Sequence, residues 1–285
     1  GTEASQCVSC HMPRRYYMVV DGRRDHRFHV PRPDESVRFG TANACTACHP
    51  QQGPAWASRA VARWYGSAAA DRPSFTEALW AGRVWRPEAG EMLAQLVDAR
   101  RFPGVVRATA VTLLARHPGR RSTDALSHAA VDTDSLVRRA AASALASLEP
   151  VTRARVGASL LGDRVRSVRV EAVLAMAGVP AQLLSVEARQ AFANAVAEYR
   201  QVQRFNADRP EAHVNLGALE MQLGRPRQAE AAFRASIELQ PQFAPAYLAL
   251  ADLQRASGHE GEAERTLRQG LGIVPDAAGL HHALG

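Results

Sequence analysis

The sequence predicts a mainly α-helical protein in which a small irregular N-terminal segment precedes an α-solenoid of stacked helix pairs. Three observations carry this. Alanine and leucine abound while aromatic residues make up 6% of the chain, a balance that favours packed helices over sheets. From about residue 103, small and branched residues recur every 31 positions, and after Pro210 a second pattern recurs every 34; periods of this size mark helix-pair repeats. The first 50 residues, by contrast, hold neither a helical nor a strand period for long. At 285 residues the chain has room for two or three compact units. The boundaries read from the pattern are 1–50 for the irregular segment, 51–102 for the first helix pairs, 103–188 for the 31-residue repeats and 189–285 for the 34-residue repeats.

The irregular segment contains Cys7-Val8-Ser9-Cys10-His11 and Cys45-Thr46-Ala47-Cys48-His49, two copies of C-x-x-C-H that use all four cysteines of the chain. Two thiols three residues apart can add to the two vinyl groups of one haem, and the histidine beside the second thiol then reaches the iron. Cys7, Cys10, Cys45 and Cys48 are therefore read as the thioether attachments of two haems c, with His11 and His49 as proximal iron ligands. A four-thiolate zinc site or a thiol redox pair would ask for no histidine after each second cysteine. A disulfide framework suits a much shorter chain. A segment of this size buries too little surface to fold alone, so it is expected to be haem-packed, with the cofactor as its core.

Between the motifs runs Asp25-His26-Arg27-Phe28-His29-Val30-Pro31-Arg32-Pro33-Asp34. Its prolines are read as holding its end extended and denying it a helix. The resulting ribbon would present His26 as a distal ligand of one haem, with His29 as the second candidate and Met18 behind both. Net charge is +7, and all 35 basic residues are arginine. These arginines are scattered, with no concentrated patch or base-reading motif, which argues against a nucleic-acid partner. Arg14, Arg15, Arg23, Arg24, Arg27, Arg32 and Arg38 fall in the haem segment, where guanidinium suits haem propionates.

The residues Cys10-His11-Met12-Pro13, Tyr17-Met18, the run ending at His26, Pro31 to Asp34 and Asn43 to His49 together resemble bacterial multihaem c-type cytochromes. The likeness extends through Trp56 and Ala60 to Gly66. It implies covalent haem, electron transfer and further C-x-x-C-H motifs upstream, so the full-length protein is expected to hold more haems than two. Haem attachment of this kind takes place outside the cytoplasm, which implies an exported, periplasmic or otherwise extracytoplasmic protein. An export signal is expected upstream of Gly1, and the chain is read as a processed or trimmed product.

Residues 52–66 and 74–100 read as helices broken near Pro73 and Pro87. Val106-Arg107, Val137-Arg138 and Val168-Arg169 then recur at the 31-residue spacing, as do Ala110, Ala141 and Ala172, with Asp134 and Asp163 just ahead of the second and third members. This pattern is similar to HEAT repeats, whose small residues let helices approach. Leu216-Gly217, Gly224, Ala229, Phe233 and Pro241 are similar to the tetratricopeptide repeat (TPR), and Leu250-Ala251, Gly258, Ala263, Leu267 and Pro275 follow 34 residues later. A third copy starts at Leu284-Gly285. His117, His128, His213, His259, His281 and His282 are read as surface or turn residues of these repeats.

The leading functional expectation is an electron carrier rather than an enzyme, with the repeats docking a redox partner protein or another haem protein. A haem-dependent reductase of a small oxyanion is the alternative; it would need one open iron site, with Arg24, Arg27 and Tyr17 as donors. A zinc-binding interaction protein is the third reading. No run approaches the ~20 apolar residues of a membrane span. Nucleophile elbows, phosphate-binding loops and zinc-protease helices do not occur in the sequence. The oligomeric state leaves no trace in the sequence.

Overall fold

The computed structural model describes residues 6–26, 28, 30–66 and 73–285, without the side chains of Arg15 and Tyr17. The mainly α prediction holds. Among the described residues the regular structure is helical apart from one two-stranded hairpin. Chain contacts form two compact units, one up to Ala89 and one from Gly90 to Gly285.

The first unit opens with α1 (Cys7–His11), a short helix that ends before Pro13. Then β1 (Arg14–Tyr17) pairs antiparallel with β2 (Asp21–Arg24) in the register Arg14↔Arg24 to Tyr17↔Asp21. Asp21-Gly22 looks like a turn signal yet lies inside β2. There Gly22 makes room for the Arg14 side chain, whose Nε donates to the Gly22 carbonyl at 3.3 Å; a Cβ on Gly22 would sit 2.4 Å from that nitrogen. The turn falls instead on Met18-Val19-Val20, with Met18 at φ 48° and Val19 at φ 71°, where asparagine or glycine is usual.

The Pro31–Pro33 stretch departs from expectation. Pro33 opens α2 (Pro33–Phe39) instead of denying it. Proline at the first helical position is compatible with a helix because its missing N–H has no intrahelical partner there. α3 (Cys45–Cys48), α4 (Gly53–Tyr65) and α5 (Thr76–Arg83) follow. α4 packs on α2 and α3, and Thr76 at the head of α5 donates to Glu35 of α2 at 2.6 Å.

α6 (Ala89–Asp98) starts where the two units divide. The second unit continues with α7 (Gly104–Leu114), α8 (Arg120–Ala130), α9 (Ser135–Ala144), α10 (Pro150–Leu161) and α11 (Arg166–Ala177). α7 packs on α9, and α9 on α11. The recurring Ala110, Ala141, Ala172, Val137 and Val168 are fully buried at these contacts. The recurring arginines are tied into a ladder. Arg107 binds Asp132 with both terminal nitrogens, Arg138 binds Asp163 at 2.6 and 3.0 Å, and Arg169 binds Glu198 at 2.7 and 2.6 Å. The counterpart of Asp163 is Asp132, while Asp134 caps α9 by accepting from the Leu136 amide at 2.9 Å.

α12 (Val186–Phe205) joins the two periods: its Glu198 meets Arg169 behind, and its Arg200 meets Glu220 ahead at 2.8 and 2.9 Å. Then come α13 (Pro210–Gln222), α14 (Pro226–Leu239), α15 (Ala244–Ala256), α16 (Glu260–Ile273) and α17 (Ala278–Leu284), each packed on the next. Gly224 and Gly258, 34 apart, follow α13 and α15 at φ 69° and 80°, a left-handed conformation that glycine adopts without steric cost.

One repeated contact was not legible beforehand. His213, Tyr247 and His281, again 34 apart, each bond the carbonyl six residues back, at Ala207, Pro241 and Pro275, over 2.9, 3.0 and 2.7 Å. The carbonyl can only accept, so each histidine donates from Nε2. His213 and His281 are thus turn-locking residues of the repeat.

Candidate functional site

Both C-x-x-C-H motifs fold as a single helical turn. Cys7 and Cys10 lie three apart on α1, and Cys45 and Cys48 three apart on α3; at that spacing two side chains share one face. All four thiols are free, with Cys45 half-buried and the others exposed. Burial pushes the Cys45 thiol pKa up, and the nearby Cys10 and then Cys48 push it further.

Each motif is anchored from outside. The first is held by Arg24 at the end of β2, whose Nη1 reaches the carbonyls of Val8 and Met12 at 3.5 and 3.4 Å. A cation at the carbonyl end of a helix is also favoured by the helix dipole. The second is held by Asn43, whose Oδ1 accepts from the Thr46 amide at 3.2 Å while its carbonyl accepts from the Thr46 hydroxyl at 3.3 Å.

Each motif histidine has an aromatic ring against it. The half-buried His11 stacks on Phe28, with centroids 4.9 Å apart and planes 13° from parallel. His49, exposed, meets Trp56 of α4 at 4.7 Å and 47°. Phe28 holds this place with a left-handed backbone, φ 47°, a conformation a bulky residue seldom adopts. Phe28, Trp56 and the anchoring role of Arg24 were not read from the sequence; nothing in their spacing distinguishes them from ordinary surface residues.

Of the distal candidates, His26 is exposed in the chain just after β2, and Met18 is exposed at the hairpin tip. His29 lies outside the described residues, as does Arg27. Arg24 is occupied by α1, and Arg32 by Asp34 and Glu35. Burial opposes the charge on Asp34, but its bonds from Arg32 prevail and hold its pKa below the usual range.

The residues present fit haem. Among the described residues from 6 to 50, the buried apolar side chains are Pro13, Pro33 and Ala44, while Tyr16, Met18, Val19, Val20, Phe28, Val30 and Val37 are all at least half exposed. The described residues of this part make no core of their own, and two large apolar rings beside paired thiols would supply one. Cys7, Cys10 and His11 would hold the first, and Cys45, Cys48 and His49 the second. Among the described residues no three His, Cys, Asp or Glu side chains converge as ligands of a single metal ion, although all four cysteines are described. The described helices include none long and apolar enough to cross a membrane.

No curated protein and no solved structure matches the chain. Residues 220–284, the stretch from the end of α13 through α17, match the family model of the tetratricopeptide repeat. The C-terminal helix pairs are therefore a helical-repeat scaffold of the kind that commonly docks other proteins.

Proposed function

We propose that the chain is an electron-transferring multihaem c-type cytochrome whose helical repeats dock a redox partner protein. Cys7, Cys10, Cys45 and Cys48 would bind two haems c through thioether bonds, with His11 and His49 on the irons. The observation that carries this reading is the duplicated site. Two complete motifs each fold as one helical turn with thiols on one side, and each motif's histidine is packed against an aromatic ring. The bound haem supplies reversible one-electron chemistry at iron, at a potential set by its axial ligands and burial. The protein's part is to hold each imidazole in place, exclude water from one face, and present a second ligand from the 25–30 segment.

Electron carriage is favoured over reduction of a small oxyanion because His26, exposed just after β2, would be available as a second iron ligand. Arg24, which an oxyanion site would need as a donor, is instead engaged with α1 carbonyls. The 31-residue array, HEAT-like in sequence, and the TPR array behind it would form the docking scaffold. Because thioether attachment is made outside the cytoplasm, the protein would be exported, with further haems carried by any upstream part of the parent protein.

The test is ligand access. Reduced holoprotein should bind carbon monoxide slowly or not at all and should not be rapidly reoxidised by nitrite or hydroxylamine. Fast carbon monoxide binding with nitrite-dependent turnover in the full-length protein would replace this reading with the reductase.

A further inference from the structure

We propose that Phe28 and Trp56 are positioning residues, each fixing the plane of the imidazole beside it: Phe28 that of His11 and Trp56 that of His49. The proposal rests on the haem reading above and deepens it by naming the groups that orient each iron ligand. It starts from the two ring contacts. His11 and Phe28 lie 13° from parallel with centroids 4.9 Å apart, and His49 and Trp56 lie at 47° with centroids 4.7 Å apart. Both separations fall in the range over which aromatic rings attract one another in offset or tilted arrangements. An imidazole held this way resists turning about its Cβ–Cγ bond, because rotation drives its edge into the neighbouring ring or opens the contact.

The two contacts are built differently. Trp56 stands in the first turn of α4, seven residues after His49. α4 packs on α2 and on α3, the turn that carries Cys45 and Cys48, so this ring is delivered by a packed helix. Phe28 comes instead from irregular chain, 17 residues after His11, with a left-handed backbone at φ 47°. A bulky residue keeps that conformation only where its surroundings demand it, often at functional sites. Burial is not what Phe28 gains, since it stays 56% exposed; what it secures is the flat contact with His11. A helix at one motif and a strained ribbon at the other thus bring a ring to the same place, against the histidine that follows the second cysteine. Incidental packing gives no reason for that to occur at both.

The plane of an axial imidazole has chemical consequences. Groups behind a metal ligand orient it and tune the metal, and at haem iron the surroundings of the axial ligand are among the protein's levers on potential and electronic state. A flat stack and a tilted contact restrain their imidazoles differently. The two irons are therefore expected to give distinct signals although their attachment motifs are alike.

The experiment uses the full-chain holoprotein and electron paramagnetic resonance, in which the largest g value follows the orientation of the axial ligands. Intact mass first counts the haems; a protein carrying none defeats the haem reading itself, before any ring is assigned a role. In protein with two haems, Phe28→Ala should move the largest g value of one signal and leave the other in place, and Trp56→Ala should do the converse. The double variant should show both shifts. Phe28→Tyr and Trp56→Phe, which keep a ring, should return the wild-type spectrum. Phe28→Leu and Trp56→Leu, which keep apolar bulk without the ring, should shift their signals as alanine does.

Three results overturn the proposal. Alanine and leucine variants that carry two haems and show the wild-type spectrum would remove the rings as positioning groups. Leucine variants that match the wild type where alanine does not would reduce each contact to filled space. Phe28→Ala and Trp56→Ala moving the same signal would show that the rings do not act each on its own imidazole.

Discussion

At position 217 there is room for a hydrogen and nothing larger: a Cβ there would lie 2.2 Å from the ring of Phe233. One repeat later the same two positions hold Ala251 and Leu267, both fully buried. The larger small residue faces the smaller large one, so the pair keeps its summed volume while trading it across the contact, as close-packed interiors require. Gly217→Ala alone should overpack the site and cost about 1–3 kcal/mol, read as a lower denaturation midpoint. Phe233→Leu alone should leave a cavity and also destabilise. Together they rebuild the Ala251–Leu267 arrangement, and their combined cost should be clearly less than the sum. A strictly additive double mutant would mean that the two side chains do not compete for that space. Tyr199 offers a second test at this scale. Burial, helped by Glu171, pushes its phenol up to about 12. The raised value favours the protonated folded form, so this contribution is intact below pH ~10 and is lost as pH climbs towards 12. Tyr199→Phe should flatten the alkaline loss of stability measured by denaturant titration; an unchanged alkaline slope would assign the loss to other groups.

Among the elements, the 31-residue helix pairs depend on the arginine ladder as well as on alanine contacts. For Asp132 and Asp163, burial works against the charge, but bonds from Arg107 or Arg138 and from the Asp134 or Val165 amide outweigh it and hold both carboxylates below their usual range. For Glu198 the bond from Arg169 leads, opposed by burial, with the same outcome. A lowered folded pKa contributes stability that is present above the ordinary carboxylate range, about pH 4, and is lost as pH falls through the folded values. Asp163→Ala would leave Arg138 buried without its carboxylate and should cost about 3–5 kcal/mol, with a weaker acid dependence than the wild type. A loss under 1 kcal/mol would show that water replaces the carboxylate there. Sequence periodicity carried these elements well because buried alanine, valine and leucine positions repeat with the helix pair itself. It placed the breaks near Pro73 and Pro87 and the turns at Pro241 and Pro275. It failed where local chemistry competes: the prolines read as denying a helix include Pro33, which starts one. Of the candidate site, the thiols and their adjacent histidines were legible because C-x-x-C-H is a compact local pattern that stands out twice in the sequence. The rings on His11 and His49 were not, since each contact is made by the fold between residues seven or more apart.

At the scale of the whole molecule, the chain divides into two units: the described residues around the two motifs bury few apolar side chains, whereas the second unit holds most of the buried apolar residues. Repeat units draw stability mainly from their neighbours, and α12 makes one run of the two periods through Glu198 and Arg200. Residues 90–285 expressed alone should therefore be helical by circular dichroism and unfold cooperatively without haem. A disordered product would show that the first unit caps the array. The first unit, in contrast, should owe its order to what the cysteines bind. The most direct measurement of that claim is the intact mass of the protein under denaturing conditions, after production alongside haem-attachment machinery. The account predicts the polypeptide plus two haems, falling to one haem when Cys7 and Cys10 are replaced by alanine and likewise when Cys45 and Cys48 are. A mass equal to the bare polypeptide would contradict it.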